Sequence, residues 1–137
     1  MYQKIAVPVD LAHVDQLPKA LRTAVDLARH YGATLHYVAA TTETPSAIAH
    51  NPAEFEQKLK AFAKKQADEH GIEAEAKMIV SVDLAIDLDK QLRQAFEEIG
   101  ADLVVMASHI PGIKDHLFSS NAGWIANHSP MSVFVVR

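Results

Sequence analysis

Cysteine is absent from the 137 residues. Disulfide frameworks, thiolate metal sites and cysteine nucleophiles are therefore excluded. Glycine is scarce, at five residues. No Gly-x-x-x-x-Gly-Lys or Gly-x-Gly-x-x-Gly run follows any candidate strand, which removes the common phosphate-loop and dinucleotide fingerprints. The Gly-x-Ser-x-Gly turn of serine hydrolases is also missing. No run of 18 apolar residues occurs, and the apolar stretch behind Met1-Tyr2-Gln3-Lys4 is too short for a signal-peptide core. The expectation is a soluble, cytoplasmic protein that is not embedded in a membrane. Neither sign of charge dominates: 13 Lys and Arg stand against 17 Asp and Glu, giving a net charge of -4. That balance argues against broad attraction to nucleic acid.

What is present is ordinary globular composition, 49% hydrophobic and 22% charged. The length suits one domain, residues 1–137. Eight histidines are scattered without an i, i+4 pair or a His-Glu-x-x-His motif, so no converging metal ligands are expected. Lys58, Lys60, Lys64 and Lys65 are interleaved with acidic residues and read as a solvated helix face.

Ile5-Ala6-Val7-Pro8-Val9 reads as a strand buried on both faces. Apolar residues from Asp15 to Tyr31 recur at helical spacing, with Asp15 as N-cap and Gly32 as stop. Thr34 to Ala40 is a second strand, and Thr41 to Asn51 a loop. Asn51-Pro52 opens a helix that Gly71 ends. Glu73 to Val80 is the third strand, and Asp83 or Asp87 opens the next helix, closed by Gly100. Leu103 to Ala107 is the most apolar strand, a short helix spans about Ser120 to His128, and Ser132 to Val136 is the last strand. Strict β-α alternation predicts an α/β fold, doubly wound, with a parallel sheet and helices on both faces.

Ligands of such sheets bind beyond the carboxyl ends of the strands, at the point where strand order switches. The segments after each strand are Pro8-Val9-Asp10, Ala40-Thr41-Thr42, Ser81-Val82-Asp83 and Ala107 to Gly112. Ser119 and Ser120 open the short helix, where free N–H groups suit a phosphate; helix capping is an equally good use of both hydroxyls. Asp10 could accept from ribose hydroxyls, hold a cation bridging phosphates, or serve a turn. These residues reach a small α/β domain with a candidate anion site, and no further.

Lys4-Ile5-Ala6-Val7-Pro8-Val9-Asp10, Ala101 to His109, Ser119-Ser120-Asn121-Ala122 and His128 to Arg137 together resemble the universal stress protein family over the whole chain. The ATP-binding branch of that family carries Gly-x2-Gly-x9-Gly-Ser/Thr in the loop after the fourth strand. Here Ala107, Ile110 and Ser119 stand at the three glycine positions, Ser120 keeps the hydroxyl, Gly112 follows two residues after Ile110, and the loop is one residue shorter. The chain is more similar to a subgroup with Ala-Ser-His at the strand end and a shortened, proline-containing loop.

The resemblance implies a five-stranded parallel sheet of order 3-2-1-4-5 binding ATP, ADP or AMP with Mg²⁺. Pro8, Val9 and Asp10 would line the adenosine pocket, and Ala40 would meet the adenine through its backbone. Met106, Ala107, Ser108 and His109 would flank ribose and phosphates, and Gly112 would shape the loop. Ser119, Ser120, Asn121 and Ala122 would hold the phosphates. No catalytic residue is implied, and rapid hydrolysis is not expected. Family members dimerise through the last strand, so a homodimer across Ser132–Val136, or a tetramer, is expected. The function so implied is a stress-response regulator whose nucleotide state modulates oligomerisation or partner binding. The alternatives are an interaction module without nucleotide, such as an accessory of a membrane transporter or of another stress protein, and a weak ATPase.

Overall fold

The computed structural model describes residues 1–107 and 121–137. The strands are β1 (Lys4–Pro8), β2 (Thr34–Thr41), β3 (Ala74–Val80), β4 (Leu103–Ala107) and β5 (Ser132–Val136). The α-helices are α1 (Pro18–Tyr31), α2 (Pro52–His70), α3 (Leu84–Ile99) and α4 (Asn121–His128). All strand pairs are parallel and the order is β3-β2-β1-β4-β5, as the sequence reading expected.

Alternation along each strand divides the core in two. Ile5, Val7, Leu35, Tyr37 and Ala39 face Ala24, Val25 and Leu59 of α1 and α2. Ala6, Val38, Ala40, Val104 and Met106 face Leu92, Phe96 and Ile125 of α3 and α4. The order reverses between β1 and β4, so their carboxyl ends diverge into a crevice. Asp102 secures the opposite end, its two carboxylate oxygens accepting from the backbone N–H of Gln3 at 2.9 Å and Lys4 at 3.2 Å.

The first helix departs from expectation. Residues Leu11–Gln16 form a 3₁₀ segment, and α1 begins only at Pro18. The cause is Pro18: its ring disfavours α geometry at Leu17 (φ -113°, ψ 27°) and its missing N–H is tolerated at a helix start. Asp15 therefore caps nothing; the carboxylate that caps the 3₁₀ segment is Asp10. The α2 start follows its signal, Asn51 Oδ1 accepting from Glu54 N–H at 2.8 Å. Gly32 and Gly71 end α1 and α2 at φ 65° and 62°, left-handed geometry that a side chain would strain.

Candidate functional site

β1 delivers Asp10 to the crevice. Val9 N–H still donates to Val38 O at 2.8 Å, so the chain leaves the sheet only at Asp10. Asp10 Oδ1 accepts from Ala12 N–H at 3.1 Å, and Oδ2 lies 2.8 Å from His13 Nδ1. The i+2 bond is a local turn, and the i+3 histidine braces the second oxygen. Both bonds orient the carboxylate, yet an ionised carboxylate has about four lone-pair directions. Acceptor capacity therefore remains for a hydroxyl pair arriving from the crevice.

The other sequence-predicted residues fall on two sides of the sheet. Ala40, Met106 and Ala122 pack together on the α3/α4 side. Pro8 shares that face by alternation with Ala6. Val9 and Ala107 belong to the α1/α2 side. Met106 at 0% exposure and Val9 at 1% are apolar core side chains, so the hydrogen-bonding groups they can offer a ligand are those of the backbone. Asn121 is the first residue of α4, and because α4 is the crossover between the parallel strands β4 and β5, its amino end belongs to the carboxyl edge of the sheet. Ser108, His109, Gly112, Ser119 and Ser120 lie outside the described residues.

A cleft of about 230 Å³ opens beside Ala107 between Leu17, Pro18, Ala20 and Val136. It is on the α1 side, away from the Ala40–Met106–Ala122 group, and is small beside ligand pockets of roughly 300–1,000 Å³.

Two residues escaped the sequence-level list of site residues. His13 contacts Asp10, and the available signal was its i+3 spacing. Ser81 stands at the carboxyl end of β3, its N–H donating to Thr41 O at 2.8 Å. Its segment was singled out by position after a strand, but no motif marked the serine. Among the described residues no group of three His, Asp or Glu side chains could hold a metal ion. Mg²⁺ commonly binds one or two carboxylates together with substrate phosphates. Asp10 is an oxygen donor of that kind, so it fits a cation that arrives with a nucleotide. No helix among the described residues is long and apolar enough to cross a membrane.

A universal stress protein G of Shigella flexneri is 29% identical over 144 residues, covering 100% of both chains. A solved universal stress protein in complex with cAMP superposes with a TM-score of 0.68 at 21% identity, covering 99% of this chain and 97% of that one. A universal stress protein of Archaeoglobus fulgidus in complex with dAMP gives a TM-score of 0.67 at 18% identity, covering 99% and 98%. At these identities the structures establish the shared fold. The universal stress protein family model matches residues 1–137, and the chain belongs to that family.

Proposed function

We propose that the chain is a regulatory protein that binds an adenine nucleotide at the carboxyl edge of the sheet, between β1 and β4. The observation that carries this reading is the braced Asp10 carboxylate at the strand-order switch, where an open α/β sheet takes its ligand. Solved neighbours in complex with cAMP and dAMP support the ligand class. Pro8, Ala40 and the backbone at Val9 and Met106 form the adenosine side, and Ala107, Asn121 and Ala122 lead toward the phosphates. Asp10 together with the phosphates of ATP would hold Mg²⁺, which would supply charge neutralisation there. The bound nucleotide then biases assembly or partner binding, which requires unequal affinity for the two states.

The test begins with freshly purified protein, denatured and chromatographed for released nucleotide. Calorimetric titration of AMP and of ATP–Mg²⁺ into stripped protein follows. Measurable binding is expected, with Asp10→Asn weakening it roughly tenfold, since a charge-assisted hydrogen bond exceeds a neutral one. The asparagine keeps an oxygen for the Ala12 N–H, so the turn survives. No released nucleotide and no binding heat would overturn the reading and leave an interaction module without nucleotide.

A second reading concerns assembly. Phe134 and Val135 of β5 are exposed at 44% and 42% on an edge strand. We infer that β5 pairs with its copy in a homodimer.

A further inference from the structure

Buried side-chain polar atoms without a hydrogen-bond partner are His36 Nε2, Tyr37 Oη, Ser81 Oγ, Gln91 Oε1 and Arg93 Nε among the described residues. His36 and Tyr37 lie within β2, and Gln91 and Arg93 on α3. Of these groups, Ser81 is the one just beyond the carboxyl end of a strand. The residue is 2% exposed, and its backbone N–H is already given to Thr41 O. A buried hydroxyl left unpaired is unfavourable, so its retention calls for a partner that the fold itself does not supply.

Its position says which partner. Alternation puts Ser81 on the same face as Ile79, and Ile79 packs with Ala40, Met106 and Ala122. That is the face and edge where the adenosine-side residues gather. Ribose hydroxyls at Asp10 stand at the end of β1. From there to β3 is two strand spacings, roughly 9–10 Å. A purine extending from that ribose across β2 carries its exocyclic edge, the end farthest from the sugar, to Ser81. The segment after Ser81 exposes both apolar and acidic side chains: Val82 and Ile86 are 101% and 75% exposed, and Asp83 and Asp87 are exposed beside them. One hydroxyl beside the apolar Ile79, Ala40 and Met106 suits a flat heteroaromatic ring with a polar edge.

We propose that Ser81 is a specificity-determining residue of the nucleotide site, its hydroxyl accepting a hydrogen bond from the 6-amino group of adenine. The proposal rests on the nucleotide reading above and adds the base selection to it. A hydroxyl has two acceptor lone pairs and one donor, so it takes the amino hydrogen without ionisation.

The experiment compares the full-length chain and Ser81→Ala. Each is titrated calorimetrically with AMP and with purine riboside 5′-monophosphate, which lacks the 6-amino group. The melting temperature of each is measured without nucleotide. Ser81→Ala is expected to weaken AMP about five- to tenfold, the range of one neutral hydrogen bond. It should leave the purine riboside analogue unchanged, and the melting temperature should hold or rise because an orphan hydroxyl is gone. Equal AMP affinity in both proteins overturns the proposal and leaves the nucleotide reading standing. Equal losses for both ligands, or a lowered melting temperature, assign Ser81 a structural role and also overturn it. Wild-type protein that binds neither ligand overturns both readings together.

Discussion

His36 shows how one residue links burial to pH. It sits in β2 between Ala6 of β1 and Glu75 of β3, on the α3 side, and is 8% exposed. Burial, the largest influence, pushes its pKa below the ordinary 6.5; Glu75, with Oε2 3.3 Å from Nδ1, opposes that shift, and Lys4 adds to it. The folded chain therefore keeps His36 neutral where the unfolded chain would protonate it. As pH falls below about 6.5 the unfolded state binds the extra proton, and stability declines until the folded pKa is reached. Urea unfolding at pH 7.5 and 5.5 should show a smaller loss of stability on acidification for His36→Leu than for wild type. An identical loss would remove His36 from the account. The residue scale is also where sequence reading was weakest. Asp10 was legible because it ends a strand at the switch, whereas its brace by His13 and the orphan hydroxyl of Ser81 depend on turn geometry and burial that spacing does not encode.

Elements were legible where a local rule forces the chain. Asn51-Pro52 and the left-handed glycines Gly32 and Gly71 sit at helix ends as read, since backbone chemistry alone decides those positions. The start of α1 was legible only through Pro18, a proline at the first helical position: Leu11–Gln16 and Pro18–Tyr31 share a continuous apolar pattern, and periodicity alone does not separate a 3₁₀ turn from an α turn. The order 3-2-1-4-5 came from the family resemblance, because alternation fixes parallel pairing but not which strand is central. The α2 cap gives a clean measure of local control. Asn51→Ala removes the acceptor for Glu54 N–H and should cost about 1 kcal/mol in urea unfolding. Asn51→Gly should cost only a few tenths of that unit, because glycine is itself tolerated at an N-cap. No measurable cost for Asn51→Ala would show that the side-chain bond is not what holds the helix start.

At the scale of the whole molecule the sheet has two edges, and they are treated differently. β3 carries Glu75 and Lys77, and Lys77 Nζ is paired with Glu98 at 2.9 Å. Charge on an edge strand discourages further pairing. The β5 edge, Ser-Val-Phe-Val-Val, has no charge within the strand and exposes Phe134 and Val135. An apolar edge of that kind is an aggregation hazard unless something covers it, and a second copy of the same strand would do so with closed two-fold symmetry. The backbone indicates how to test this without disturbing the monomer. Ser132 N–H donates to Asp102 O, so in the parallel ladder with β4 the even residues of β5 turn their backbone N–H groups toward β4 and Val133 and Val135 turn theirs outward. Val135→Pro deletes one outward donor and leaves the β4 ladder its bonds, as an edge strand allows. Wild-type protein should sediment at twice the 15.0 kDa chain mass, and Val135→Pro at the mass of one chain with far-ultraviolet circular dichroism preserved. A variant that stays dimeric would place the interface elsewhere, and a wild-type monomer would remove the β5 pairing. Combining this variant with nucleotide titration then asks whether ligand and assembly are coupled: if they are, dimeric and monomeric forms must differ in nucleotide affinity by the same factor that nucleotide shifts dimerisation.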